Sequence, residues 1–524
     1  MSFDVIVIGS GFGGAVTACR LAEQSYKVLV LERGRRWDKT NYPRKPEDMW
    51  TWNPARPEKE NGWLDLRTFE HVSVAQGAAV GGGSLIYANI SCEAPPDTFA
   101  TGWPPEITYG ELKPHYDTVA TFMNVQAVPD NQWTERMRLM KQGATAIGHG
   151  DRFKKLEMAI TFDPAYDPTQ PDPQNHAKSK AFVNAQGVAQ GTCVHLGNCD
   201  IGCDVDARNT LDRNYIPWAE KYHAEVRELH LVTNIEPADG GYKVSFDQLQ
   251  NGARVAGSET ARIVIVAAGS LGSTELLLRC RDVTKSLPSL SQRLGYGWSS
   301  NGDFLTPALY DRAIQPSFGP TIACAIDFLD GSQGPKFWIQ DGGFPNIIGD
   351  MLQAEGTGQQ RGFMAQTLIT SLQHMLHGAE PGRNVMPWFA QGRDAADGQL
   401  KLARRLITDE LYLDLQWDVT KSKVLMDQIV SMHLKLSAAT GGFPLVPPTW
   451  SLFHYLITPH PLGGCNMGAA AADGVVNHAG EAFGYRNLYV ADAAVIPEAL
   501  GVNPSRTIAA LAERIAKILA AEGR

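Results

Sequence analysis

The most regular hydrophobic pattern lies at the amino end of the chain. Apolar residues fill positions 5–8 and 28–31, and a glycine cluster and a helix-like segment at 15–24 lie between them. Short apolar runs bounded by glycine are typical of buried strands, and apolar positions three and four residues apart indicate a helix. The pattern predicts a strand, a turn, a helix and a second strand, the opening unit of an α/β fold.

Weaker patterns predict further regular elements. They are a helix at 111–123, a hairpin over 226–246 with its turn at 239–241, a strand at 263–267 before a helix at 274–279, and a strand at 489–492 before a helix at 504–521. The last two pairs repeat the strand-then-helix order of the opening unit, although they lie far from it in sequence. We therefore expect an α/β domain assembled from several segments, with a second domain interleaved between them.

Composition and charge narrow the class of protein. Of 524 residues, 44% are hydrophobic and 20% are charged, which excludes a disordered, collagen-like or coiled-coil chain. The net charge of −9 comes without a basic block, so we expect no nucleic-acid partner. The uncharged stretch at 71–92 contains four glycines and several polar residues, so we expect no transmembrane segment. The opening Met1-Ser2-Phe3-Asp4 does not resemble a signal peptide, and we expect a cytoplasmic protein with reduced thiols.

A glycine motif joins the first predicted strand to the first predicted helix. Gly9-Ser10-Gly11-Phe12-Gly13-Gly14 fits GxGxxG, and Glu32 ends the second strand. Gly9 allows a tight turn, Gly11 lets the backbone approach a pyrophosphate, and Gly14 allows close helix packing. Glycines before a helix can also be plain turn residues. The strand, the helix and Glu32, which can accept a ribose hydroxyl, together predict a dinucleotide site.

Several segments together resemble the glucose-methanol-choline (GMC) oxidoreductases, and within them the cholesterol oxidase branch. They are the opening unit through 28–34, and the segments 80–85, 209–212, 268–277, 460–465 and 501–505. The resemblance implies an α/β fold in which an FAD-binding Rossmann-like domain is interleaved with an α+β substrate-binding domain. The implied FAD-binding segments are 1–45, 73–118, 200–302 and 456–524. The implied substrate-binding segments are 46–72, 119–199 and 303–455.

The resemblance also implies the catalytic pair His460 and Asn503, beside the flavin ring. The chemistry suits these residue types, because an imidazole can take a hydroxyl proton close to neutral pH and an amide can orient the substrate oxygen. The hydride would pass to the flavin. The alternatives are that His460 is a hydrogen-bonded loop residue and that Asn503 is a helix N-cap before Pro504.

The resemblance places FAD against residues from most of these segments. The implied contacts are Gly9, Gly11, Phe12, Gly13, Gly14, Glu32, Arg33, Gly82, Gly83, Tyr87, Asn89, Val232, Ala268, Gly269, Asp492, Ala493, Asn503, Pro504 and Ser505. Asp492 ends an apolar run and would hydrogen-bond the ribityl or pyrophosphate region. Its alternative role is that of a polar turn residue at a strand end.

The aromatic middle of the chain is expected to hold the substrate. Trp338, Gln340 and Phe344 are the predicted substrate residues, and Phe337 and Trp388 are further candidates for the pocket wall, although such aromatics are also common in cores. Cholesterol oxidases carry a Glu that shifts the steroid double bond, and the matching position here is Gln340. An amide cannot accept and return a proton as a carboxylate can. Isomerisation is therefore not expected unless Asp341 substitutes.

Three cysteines with a histidine between them form a further cluster in the sequence. Cys193, Cys199 and Cys203, with His195, could bind zinc or an iron-sulfur cluster, but their spacing is not that of a CxxC site. We therefore expect free thiols and no metal.

The function predicted from these features is an FAD-dependent oxidation of the CH–OH group of a bulky apolar alcohol, such as a steroid. The electron acceptor would be dioxygen, or a quinone or carrier protein. A flavin-binding protein without catalysis is the alternative of a different class.

Overall fold

The computed structural model describes residues 1–45, 47–169, 176–345, 383–405, 409–447, 450 and 454–523. Parts of the predicted substrate domain, at 46, 170–175, 346–382, 406–408, 448–449 and 451–453, lie outside the described residues. Within the described ranges the strands are β1 (Phe3–Ile8), β2 (Val28–Leu31), β3 (Leu64–Thr68), β4 (Val72–Gly77), β5 (Gln126–Ala127), β6 (Phe153–Lys155), β7 (Glu157–Met158), β8 (Phe182–Val183), β9 (Ala189–Gln190), β10 (Glu225–Arg227), β11 (His230–Ala238), β12 (Gly241–Gln250), β13 (Ala253–Val266), β14 (Tyr296–Trp298), β15 (Phe304–Leu309), β16 (Cys324–Phe328), β17 (Phe337–Asp341), β18 (Val385–Gly392), β19 (Gly398–Arg404), β20 (Leu411–Gln416), β21 (Phe443–Pro444), β22 (Leu456–Thr458) and β23 (Leu488–Val490). The α-helices are α1 (Phe12–Glu23), α2 (Tyr109–Phe122), α3 (Glu135–Ala146), α4 (Tyr215–Lys221), α5 (Gly269–Leu278), α6 (Lys423–Ala439) and α7 (Ser505–Ala521).

The amino-terminal unit forms the centre of a seven-stranded sheet. Its strand order is β10-β2-β1-β13-β12-β11, and β23 also pairs with β13. Strand β1 runs parallel to β2 and β13, and β13 runs parallel to β23. Because parallel strands are covered on both faces, they read as continuous apolar runs, which is why this unit gave the clearest signal. The predicted strand, turn, helix and strand are confirmed.

The long strand β13 links two kinds of pairing. Its first part pairs antiparallel with β12 of the predicted hairpin, and its last part pairs parallel with β1 and β23. The hairpin itself is confirmed as β11 and β12, which are antiparallel. The carboxyl ends of β1, β2, β13 and β23 therefore meet at one edge of the sheet, where α/β proteins bind their ligands.

A second sheet of six strands has the order β21-β15-β18-β17-β16-β6. Helices α3 and α6 pack against this sheet. Leu305 and Gln340 both stand opposite Phe389, and these three residues form one cross-strand row. Asp341 stands opposite Trp388 and, because side chains alternate along a strand, both point to the other face, which packs on the helices. The sheet thus has one helix-covered face and one face turned toward the amino-terminal sheet.

None of the described helices is both long enough and apolar enough to cross a membrane.

Candidate active site

A cavity of about 1190 Å³ lies between the carboxyl ends of the main-sheet strands and one face of the six-stranded sheet. Common ligand pockets measure roughly 300–1,000 Å³. The cavity therefore has room for a large ligand together with a second molecule.

The glycine motif lines one end of this cavity. A Cβ at Gly13 would lie 1.6 Å from the carbonyl oxygen of Ala491, and one at Gly14 would lie 2.0 Å from that of Gly9, so any side chain is excluded at both positions. A Cβ at Gly11, by contrast, would have no neighbouring atom nearer than 4.0 Å, and the backbone of Gly11 lines the cavity. No side chain caps α1, whose first amides are therefore free to bind an anion.

The carboxylate of Glu32 lies beside the motif. Its Oε2 accepts hydrogen bonds from the amide of Ser10 at 2.9 Å and from the Ser10 hydroxyl at 2.7 Å, and its Oε1 accepts from the amide of Gly34 at 2.8 Å. Burial raises the pKa of Glu32, and these hydrogen bonds oppose the rise. Arg33 also lines the cavity, with its guanidinium 4.1 Å from the centre of the Trp52 ring. This end suits the sugar and phosphates of a dinucleotide.

Asp492 joins the end of β23 to the start of α5. Its Oδ2 accepts from the amide of Gly269 at 2.8 Å and from the hydroxyl of Ser273 at 2.5 Å, and its Oδ1 accepts from the amide of Ala494 at 2.7 Å. Burial raises the pKa of this carboxyl, and the hydrogen bonds lower it. The predicted contacts Val232, Ala268 and Ala493 line the same cavity, as do Gly82, Pro504 and Ser505.

The second glycine segment supplies another part of the wall. Gly83 has open space where a side chain would be, and Tyr87 lines the cavity with its ring 5.4 Å from that of Phe12. Asn89 does not line the cavity, contrary to the predicted contact. It is fully buried, and its Oδ1 accepts a hydrogen bond of 2.9 Å from Nε of Arg208. Asn89 therefore helps to hold the segment from behind.

His460 follows β22 and is oriented by a buried carboxylate. Its Nδ1 lies 2.9 Å from both oxygens of Asp303. The hydroxyl of Thr458 donates to Asp303 at 2.5 Å and accepts from the amide of His460 at 2.9 Å. Burial raises the pKa of Asp303, while His460 and Thr458 lower it. Because the carboxylate accepts the proton on Nδ1, the lone pair of His460 is on Nε2.

Asn503 lies on the Nε2 side of the imidazole. Its Nδ2 is 3.3 Å from Nε2 of His460, and its Oδ1 accepts a hydrogen bond of 2.8 Å from Nε2 of Gln340. Helix α7 begins at Ser505 without a side-chain cap, so the alternative role of Asn503 as an N-cap is wrong. The four side chains form one row from Asp303 through His460 and Asn503 to Gln340.

Gln340 and Asp341, which are neighbours on β17, point to opposite faces of the sheet. Gln340 is fully buried and does not line the cavity, contrary to the predicted substrate contact, and it reaches the site through Asn503. Asp341 is fully buried, and its Oδ1 accepts the amides of Ala323 and Cys324 at 2.7 Å, while its Oδ2 pairs with Arg136. Asp341 therefore cannot substitute for a carboxylate at position 340.

The predicted aromatic wall is only partly right. Phe344 lines the cavity. Trp338 does not, because it is buried and its indole donates to Gln391. Trp388 faces the helices and donates to the hydroxyl of Ser437 at 2.9 Å. Phe389, one residue later, lines the cavity, with its ring 6.4 Å from that of His460.

Asp303 and Phe389 were missed by sequence reasoning. Asp303 lies 157 residues before His460, and only folding brings them together. Its one sequence signal is an isolated acid at the start of an apolar strand. Phe389 has no signal, because the sequence does not say which face of β18 packs on the helices.

The cysteine cluster consists of free thiols. All eight cysteines are unpaired, and burial raises the pKa of Cys193 and Cys199. His195 is bonded to Gln132 at 3.2 Å, and burial lowers its pKa to about 4. Over the described part of the chain, no group of three or more His, Cys, Asp or Glu residues could hold a metal ion.

Comparison with known proteins adds to this geometry. Residues 394–512 match the family model described as GMC oxidoreductase, and residues 7–37 match an NAD(P)-binding Rossmann-like domain. The chain is 32% identical to a cholesterol oxidase of Acinetobacter baumannii, over 98% of this chain and 93% of that protein. It is 31% identical to a cholesterol oxidase of Mycobacterium tuberculosis, over 98% and 91%. An FAD-dependent oxidoreductase from Chaetomium thermophilum has a similar fold, with a TM-score of 0.64 at 14% identity and full coverage of both chains.

Proposed function

The chain belongs to the GMC oxidoreductase family, and from this premise we propose that it oxidises the secondary alcohol of a bulky, steroid-like substrate to a ketone. Dioxygen is the proposed electron acceptor. The observation that carries the proposal is the pair of Asp303 and His460, which presents an oriented imidazole to an apolar cavity wall. The proposal also draws on the two relatives that are named cholesterol oxidases and match almost the whole chain.

The protein is an FAD-dependent alcohol oxidoreductase, and its cavity fits this cofactor. The uncapped amino end of α1 would hold the pyrophosphate, and Glu32 would accept a ribose hydroxyl. The open backbone at Gly11 and Gly83 leaves the space that a close approach requires. When bound, FAD supplies the hydride acceptor for the carbinol carbon.

Proton removal is the task of His460. Asp303 accepts a hydrogen bond from Nδ1, so Nε2 carries the lone pair that takes the proton of the substrate hydroxyl. The imidazolium that results is stabilised by the same buried carboxylate. Thr458 bonds both Asp303 and the His460 backbone, so the ring is held before substrate arrives.

Orientation of the substrate oxygen is the task of Asn503. Gln340 donates to the Asn503 carbonyl, which fixes the amide with its NH₂ group toward His460. A substrate hydroxyl between the two would accept from Nδ2 of Asn503 and donate to Nε2 of His460. The carbon that loses its hydride is positioned by these two contacts.

The wall beside this row supports a rigid hydrocarbon as substrate. Leu305, Pro307, Pro387 and Phe389 line the cavity from the six-stranded sheet, and Phe344 lines it from the segment after β17. Such a surface gains binding free energy by excluding water, at about 25 cal/mol per Å² of apolar area. A fused alicyclic ring system matches this apolar surface better than a sugar or a short polar alcohol does.

Steady-state oxidation of a matched set of alcohols tests the proposal. The purified holoprotein would be given a 3β-hydroxysteroid, the same steroid without the hydroxyl, and a short linear alcohol, and ketone and hydrogen peroxide would be measured together. We expect equal amounts of both products from the hydroxysteroid alone. If ketone formed beyond one equivalent per flavin only after a quinone was added, and without peroxide, the acceptor would be a quinone or carrier instead of dioxygen. Turnover of the linear alcohol alone would refute the steroid class.

A further inference from the structure

The cysteine-rich segment brings one carboxyl group to the cavity wall. Asp200 lines the cavity and lies in a short helical turn at Cys199–Ile201. The backbone beside it is fixed by Arg44, which donates to the carbonyl oxygens of Ile201 at 2.7 Å and Gly202 at 3.1 Å. The position of Asp200 is therefore set by the fold before any ligand binds.

A second polar group lies beside Asp200. Thr321 lines the same cavity and is 6% exposed, and its buried hydroxyl has no hydrogen-bond partner of good geometry in the described part of the chain. It nevertheless lies near enough to lower the pKa of Asp200, which burial raises to about 7. Buried polar groups without full partners are costly and uncommon, and a ligand is one way to satisfy them.

The strand register of the six-stranded sheet indicates how far Asp200 and Thr321 lie from the catalytic side chain of Asn503. Gln340, which contacts Asn503, stands opposite Phe389, and the amide of Gly342 bonds Pro387 one row further along the same face. Arg136 donates to the carbonyl oxygens of Thr321 at 2.9 Å and Gly342 at 2.8 Å, so the backbone of Thr321 lies near Gly342, beyond Gln340 along the sheet. Rows on one face are about 7 Å apart.

We propose that Asp200 and Thr321 form a second polar subsite, which binds a hydroxyl group of the substrate remote from the one that is oxidised. The inference rests on the proposed function, because it needs an alcohol held at His460. The substrate would then be an apolar polycycle that carries its second hydroxyl group on a ring other than the one that is oxidised. The carboxyl of Asp200 accepts the remote hydroxyl, and Thr321 completes the contact with its own hydroxyl.

The experiment compares a monohydroxysteroid with a panel of dihydroxysteroids that differ only in the position of the second hydroxyl. For the parent protein, kcat/KM should be at least about tenfold higher for one dihydroxysteroid than for the monohydroxysteroid. Asp200→Leu and Thr321→Val should remove this preference, so that each variant oxidises the two steroids with the same kcat/KM. Asp200→Asn keeps an acceptor and should give an intermediate preference.

Two controls separate a subsite from a general loss of structure. Asp330→Asn removes an exposed carboxylate after β16 and should leave the preference unchanged. FAD content of each variant must match the parent and its thermal midpoint must be no lower than that of the parent, and an Asp200→Leu variant that fails this check is replaced by Asp200→Asn.

The outcomes distinguish this inference from the proposed function. If the parent oxidises the monohydroxysteroid but prefers no dihydroxysteroid, or keeps its preference in Asp200→Leu, the subsite is refuted and the proposed function stands. If no steroid is oxidised, the proposed function itself fails. A preference that is lost in Asp200→Leu supports both.

Discussion

Replacing Asp303 with asparagine removes the group that orients His460. Both carboxylate oxygens lie 2.9 Å from Nδ1 of His460, and one of them also accepts the hydroxyl of Thr458 at 2.5 Å. Asparagine has the same size but presents an NH₂ group to one of these two donors. In Asp303→Asn we expect the imidazole to accept a hydrogen bond at Nδ1 and to carry its proton on Nε2, where it cannot act as a base.

The size of the effect follows from the burial of the pair. Asp303 is fully buried, so solvent does not screen its interaction with the imidazole. Positioned general-base catalysis contributes about 10²–10⁴ in rate, which corresponds to roughly 3–5 kcal/mol of activation free energy. We expect kcat of Asp303→Asn to fall by about 10²–10⁴. FAD content and KM should change far less, because Asp303 acts through His460.

The assay is the anaerobic rate of flavin reduction by a steroid alcohol, measured in stopped flow from neutral to alkaline pH. The deficit of Asp303→Asn should shrink at alkaline pH, where the alcohol needs less help to lose its proton. Asp394→Asn is the matched control, since Asp394 is a neighbouring carboxylate that accepts from Ser299 at 2.7 Å and Ser300 at 2.9 Å without touching His460. If both variants lost rate equally, or if Asp303→Asn kept the parent rate, the orienting role would be wrong.

Three further predictions concern other parts of the cavity. Gly13→Ala should prevent stable folding, because its Cβ would lie 1.6 Å from the carbonyl oxygen of Ala491, and a thermal melt checks this. Gly11→Ala should fold but lose FAD, and flavin fluorescence of the purified protein measures that loss. The pKa of Asp200 is about 7 in the folded protein and about 3.9 in the unfolded chain, so the stability that this group contributes at acid pH is lost as the pH rises between these values. In denaturant melts, Asp200→Asn should therefore be more stable than the parent at pH above about 7, by up to a few kcal/mol. At pH below about 4 the two proteins should be equally stable. With Gln340 at the site, a 5-ene-3β-hydroxysteroid should yield the unconjugated ketone, so a conjugated enone in the product's ultraviolet spectrum would contradict the assignment.

The parts of the fold that could be predicted from sequence are those in which one residue pattern has one structural meaning. The strands β1 and β2 are buried on both faces, so their apolar runs were unambiguous. Helix α5 begins at Gly269, five residues before the predicted start at 274. Its first turn contains glycine and polar residues, which do not indicate a helix, and it is stabilised by the hydrogen bond from the Gly269 amide to Asp492. The residue pattern around Gly269 does not indicate a hydrogen bond to Asp492, which lies 223 residues away in the sequence.

The six-stranded sheet was hard to interpret for a different reason. Both faces of β17 and β18 are buried, one by helices and one at the cavity, so alternation does not distinguish them. This is why the sequence does not identify Phe389. Trp338 shares a face with Gln340, but its indole is buried against Gln391 and does not reach the cavity. Asn89 was assigned to the cofactor for its amide, whereas the fold uses that amide to bond Arg208.

Anaerobic reduction of the bound flavin tests the central claim most directly. The purified holoprotein would be mixed with a 3β-hydroxysteroid without oxygen, and the visible flavin spectrum would be followed for the parent and for His460→Ala. We predict that the visible flavin absorption of the parent bleaches fully, whereas that of His460→Ala, which still binds FAD, stays nearly unchanged over the same time. A parent spectrum that stays unchanged with every steroid alcohol would contradict the account.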